Sequence, residues 1–157
     1  MSALRKIVDP PPPRESASRI LLQQLKEAHA SLRERMADLD RITAGATEVG
    51  DQFTGARWRL SQASMRERAL VTQISDYLIE RLDGAEADRV SALQVSRQEM
   101  MRRSAMHVGT WTAKTIRADW RGYCSASRSI RAHMSTHLQM EEWTLYPLLE
   151  ALARREG

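Results

Sequence analysis

His133-Met-Ser-Thr-His137-Leu-Gln-Met-Glu141-Glu142-Trp-Thr-Leu145-Tyr146-Pro147 sets two imidazoles and a carboxylate four residues apart inside an amphipathic run. On a helix this spacing stacks His133, His137 and Glu141 on one face, turn above turn. The face continues in both directions. Trp120, Tyr123, Ile130, Met134, His137, Glu141, Leu145, Leu148 and Leu152 recur at spacings of three, four and seven and predict an inward stripe on a helix over about 120–152, with Asp119 as its cap. Pro147 is expected to kink that helix or end its regular part, because it lacks a backbone donor and crowds the carbonyl four residues earlier. A mixed nitrogen and oxygen surface of this kind suits a first-row transition metal better than calcium or magnesium.

Working back along the chain, a first helix is expected from Ser16 or Ser18 to Gly45, the latter as a left-handed cap. Leu22, Leu25, His29, Leu32, Met36 and Leu39 form its seam, so His29 stands where a leucine would be expected. A second helix is expected from Thr54 to Leu82, stopping at Asp83-Gly84, with Leu60, Ala63, Leu70, Val71, Ile74 and Leu78 inward and Glu67 on or near the stripe. A third runs from Ala85 to His107 and ends at Gly109. Val90, Leu93, Met100 and His107 lie on its seam, together with Arg97 and Ser104. The segment Thr110 to Ala118 is expected to form a short helical turn. Four long helices with short connections predict an all-α, antiparallel up-down four-helix bundle over residues 15–157. Ahead of it, Pro10 to Pro13 mark residues 1–14 as a flexible proline-rich leader with extended backbone.

The 157 residues suffice for one core without a disulfide or structural metal. Cys124 is the only cysteine, which excludes an intrachain disulfide and a multi-cysteine zinc site and fits a reducing, cytoplasmic setting. No apolar stretch approaches the roughly 18 residues of a membrane span. The net charge of +4 raises the question of an acidic partner. Arginines nevertheless alternate with acidic residues as on solvated helix faces, and nucleic acid is not the expected partner. Glycine-rich phosphate loops, nucleophile elbows and zinc-protease motifs are absent, so the chain is read as non-enzymatic. The tryptophans are expected at the ends or boundaries of the bundle, and the methionines as core filler.

The run His137-x-x-x-Glu141-Glu142-x-x-Leu145-Tyr146-Pro147-x-Leu149 resembles the histidine-glutamate motif and leucine-aromatic-proline signature of the hemerythrin-like, or HHE cation-binding, bundles. His29 is similar to that family's lone first-helix histidine. The resemblance implies a four-helix bundle with a non-haem iron centre, of one or two ions, that binds or responds to oxygen or iron. It implies His29, His137 and Glu141 as ligands, with Glu141 able to bridge. The pattern also departs from the family's. The motif lies on the last helix, no His-x-x-x-x-Asp occurs, the only His-x-x-x-His is His133 to His137, and the chain has four histidines in all. Glu67 and His107 are therefore considered as completing a carboxylate-richer centre, and His133 as a further ligand.

Each residue has a plainer reading. His29 fits a core histidine bonded to a neighbouring helix, since a buried imidazole needs a partner. Glu141 fits a buried ion pair with Arg97. His107 fits an imidazolium near a helix C-terminus, His133 a surface position, and Glu67 a solvated glutamate. Two functions follow: an iron-binding, iron- or oxygen-responsive module, or a metal-free bundle serving as an interaction or regulatory scaffold. The partners expected are a metal ion and, with it, dioxygen. A protein partner for the arginine-rich faces or the leader is left open.

Overall fold

The computed structural model describes residues 15–45 and 47–156. The proline leader lies outside the described residues. Those described are helical, with no strand among them: α1 (Ala17–Gly45), α2 (Asp51–Arg81), α3 (Gly84–Thr110), the short α4 (Ala113–Ala118) and α5 (Trp120–Glu156). No helix among them is long and apolar enough to cross a membrane.

Local chemistry explains most boundaries. The Ser16 hydroxyl accepts from the Arg19 amide at 3.0 Å, so Ser16 is the cap of α1. Gly45 does not take the left-handed conformation expected of it; among described glycines only Gly84 has positive φ, at 58°. Gly84 therefore makes the tight α2 to α3 corner, for which a residue without Cβ is suited. Thr112 caps α4 through its side chain, accepting from the Thr115 amide. Asp119 accepts from the Gly122 amide at 2.9 Å, as expected of the α5 cap.

Pro147 does not end α5, which continues to Glu156. The carbonyl left without its usual donor belongs to Trp143, which is 76 % exposed, so water can satisfy it. Trp58 is likewise exposed, whereas Trp111 and Trp120 pack at one end against Phe53 and Tyr123.

The helices form a bundle in which α1 packs on α2 and α5, and α3 packs on α2 and α5. At one end, Ser18 at the start of α1 bonds Tyr77 near the end of α2 and Glu156 at the end of α5. At the other, Leu39 near the end of α1 meets Phe53, Trp120 and Tyr123. Three apolar clusters lie along the axis. The largest holds Leu25, Val71, Ile74, Leu93, Leu145 and Leu149; the middle one holds Leu32, Met36, Ala63 and Leu138; Tyr123 anchors the third. His29, Glu67, Arg97 and Glu141 sit at the joint between the first two, one turn from apolar neighbours on their own helices.

Candidate metal centre

His29, Glu67 and Glu141 converge from α1, α2 and α5, and a ligand atom from each lies within 4.8 Å of the others. All three residues are buried, at 1 %, 4 % and 1 % exposure. His29 Nε2 is 2.8 Å from Glu141 Oε2 and 3.4 Å from Glu67 Oε1. The second oxygen of Glu141 turns the other way, 3.1 Å from His137 Nε2. Glu141 thus spans two histidines, one to each oxygen.

The last of these contacts is close without being a hydrogen bond. Glu67 Oε1, His137 Nε2 and Glu141 Oε1 are all buried and all lack a hydrogen-bond partner. Buried polar atoms are almost always paired, and leaving one unpaired costs about 1–3 kcal/mol. Glu67, His137 and Glu141 border one cavity of about 40 Å³, large enough for a water or an ion. Two ligand atoms each about 2.1 Å from one ion and at right angles stand about 3.0 Å apart. The 2.8 and 3.1 Å separations match that spacing.

The surroundings tune this layer. The other ring nitrogen of His29, Nδ1, is 2.8 Å from the Tyr146 hydroxyl, and the two rings stack. Such a partner fixes ring orientation, as it does for metal-bound imidazoles. Burial alone would lower the His29 pKa, but the Glu141 and Glu67 carboxylates outweigh it and raise it to about 9. Burial raises Glu67 to about 7 against the pull of His29, with Glu141 reinforcing the rise. Glu141 is pushed the other way: burial disfavours its charge, yet His137, His29 and Glu67 together hold it down. Without an ion, the shifts favour a proton on His29 and ease protonation of Glu67, while Glu141 keeps its charge. A divalent cation can replace both protons.

Arg97 does not close off the layer. Its Nε is 3.9 Å from Glu141 Oε1, while its Nη2 donates to the Arg68 carbonyl at 3.0 Å and its Nη1 reaches Thr72 Oγ1 at 3.4 Å. The guanidinium is engaged with α2, and the Glu141 contact is at the limit of an ion pair.

His29, Glu67 and Glu141 thus meet, with His137 adjoining. His133 and His107 are not brought to the group. His133 is exposed, with Nε2 3.1 Å from Arg103 Nη1. His107 lies near the other end of the bundle against Tyr123, its pKa lowered by burial and then by Arg57 and Arg131. Tyr146 carries a sequence signal, as the aromatic of the Leu-Tyr-Pro signature, but that signal does not point to its contact with His29. Cys124 is half-buried, and burial raises its pKa, which leaves it a poor nucleophile.

Fold and layer together define an all-helical bundle whose core carries a histidine-glutamate cluster in which three side-chain atoms lack a hydrogen bond. No known family, curated protein or solved structure matches the chain.

Proposed function

We propose that this chain is a hemerythrin-like, antiparallel up-down four-helix bundle that binds non-haem iron and acts as an iron- or oxygen-responsive module in the cytoplasm. The observation that carries the reading is the set of three buried atoms without a hydrogen bond, on Glu67, His137 and Glu141, around one small cavity. His29 Nε2 and Glu141 Oε2, with Glu67, would hold one ion. His137 Nε2 and Glu141 Oε1 would help hold a second if two are bound. In that case Glu141 bridges. Two imidazoles and two carboxylates are a borderline ligand set suited to iron and its first-row neighbours, and the two carboxylates balance a divalent charge. The bound iron would supply the site for dioxygen, and the protein's residues would position it and keep it dry.

A second reading has its own support. The 2.8 Å His29–Glu141 contact is a sound hydrogen bond without any ion, and Arg97 stands nearby. On that reading the bundle is a metal-free scaffold. Metal analysis of anaerobically purified protein beside His137→Ala and Glu141→Ala separates the two. Iron in the parent and loss in both variants is expected. Equal metal content in all three, or a melting temperature indifferent to iron and chelator, would overturn the metal reading.

A further inference from the structure

Between α2, α3 and α5, toward the Tyr123 end, lies a second and larger cavity of about 460 Å³. That volume falls within the range of small-molecule sites. Its wall contains Arg57, Arg68, Arg131 and His107 and no acidic residue. Arg131 is matched by Asp40, whose carboxylate lies 2.9 Å away behind the wall. Arg57 Nη2 donates to the Trp111 carbonyl at 2.7 Å, with its guanidinium over the Tyr123 ring, and Arg68 Nε donates to the Ser64 carbonyl at 3.3 Å; neither has an anionic partner among the described residues. Both side chains are half-buried, where charge is screened less than at the open surface. The lowered His107 pKa, due to burial and then to Arg57 and Arg131, reports the same positive potential.

The rest of the wall is mostly apolar, with Leu39, Leu60, Ile130, Met134 and the ring of Tyr123 facing the same space, interrupted by the serines Ser61, Ser64, Ser104 and Ser127. A bare inorganic anion would leave that surface wet, and a neutral hydrocarbon would leave the guanidinium charges unmatched. We propose that this cavity is a binding site for a small organic carboxylate with an apolar body, its head on Arg57 and its tail along Leu60, Ile130 and Met134 toward Arg68. Ser64, Arg68, Met101, Ser104 and Met134 also border the small cavity of the metal centre, so an occupant would stand beside that centre. The site itself requires no metal.

The test is calorimetric titration of the metal-free protein with octanoate, octanol, octylamine and inorganic phosphate. It is paired with an Arg57→Gln/Arg68→Gln double variant checked for unchanged melting. Octanoate is expected to bind one to one, at least about tenfold more tightly than the other three, and to weaken about tenfold in the double variant. The His107 ring resonances should shift with octanoate and not with octylamine. Octanol binding as well as octanoate, phosphate binding as well as octanoate, or a folded double variant with undiminished affinity would each overturn the proposal. If the double variant fails to fold, the ligand series and the His107 resonances on the parent decide it. Because no metal is present, the outcome is independent of the metal reading.

Discussion

Two polar layers interrupt the apolar interior, and they are finished differently. Around Arg131, which is 4 % exposed, each guanidinium nitrogen has an acceptor: Nε and Nη2 reach Asp40 Oδ1 at 2.9 Å, Nη1 bonds Ser127, and Nη2 reaches Thr43 Oγ1 at 3.4 Å. Thr43 in turn donates to the Leu39 carbonyl at 2.8 Å. Around Glu141 the groups are just as buried, yet three atoms make no hydrogen bond and have only ion-pair contacts. A satisfied buried network rigidifies a fold and asks for nothing more, whereas each unsatisfied atom costs about 1–3 kcal/mol that a bound group can recover. The difference separates a structural polar layer from a candidate binding layer.

Removing the hub of each layer should expose this difference most strongly. Glu141→Ala leaves His29 buried without its carboxylate and deletes both oxygens that face the histidines. Loss of the buried pair is expected to cost about 3 kcal/mol in urea unfolding of the metal-free protein, with metal content falling to background. Retention of metal would mean that the Glu141 layer is as self-contained as the Arg131 layer. Arg131→Met should cost less, about 1–2 kcal/mol, because the Asp40 side chain is 61 % exposed and returns to water. Its metal content should match the parent's.

Protons should distinguish the layers as well. His29, raised from 6.5 to about 9, contributes stability that is complete below pH 6.5 and is lost as pH rises through 9. Glu67, raised from 4.5 to about 7, contributes in the same sense, with its share lost as pH rises through 7. The metal-free protein should therefore become less stable from about pH 5 toward pH 9. Metal binding must displace these protons, so affinity should increase over the same window. Urea midpoints and competitive metal titrations against pH should thus slope in opposite directions. Parallel slopes would separate the titrating groups from the ion.

Much of this is legible in the sequence. His29, Glu67 and Glu141 interrupt apolar stripes whose period is that of a helix, and burial follows the stripe whatever the side chain. Periodicity tells the face of a helix but not the height at which a residue meets its neighbours. For that reason His107, on the seam of α3, met Tyr123 and not Glu141. The same limit hid the contact of Tyr146 with His29, and the gathering of Arg57, Arg68 and Arg131 from two helices around one cavity. Trp58 and Trp143 were misplaced for another reason: amphipathic aromatics are tolerated at the surface, so type alone does not locate them.

A smaller effect tests the support of the histidine layer. Tyr146→Phe removes the hydroxyl 2.8 Å from His29 Nδ1 while keeping the stacked ring. About 1 kcal/mol of stability should be lost, and metal affinity should fall about tenfold, as for partners that orient a ligand. An unchanged affinity would show that the ring is held by packing alone.

The smallest effect concerns two histidines one turn apart. His133 and His137 have the same residue type, the same helix and nearly the same face, yet His133 is exposed beside Arg103 while the side chain of His137 is 12 % exposed and lies 3.1 Å from Glu141. A guanidinium next to an imidazole opposes a cation rather than recruiting one. His133→Ala is therefore expected to change stability by no more than about 0.5 kcal/mol and to leave metal content untouched, whereas His137→Ala should lower the metal content. Side-by-side metal analysis of the two variants is the check. Equal losses would mean that the ion sits farther toward α3 than the cavity at Glu141 allows, and that the imidazole facing Arg103 turns inward to reach it.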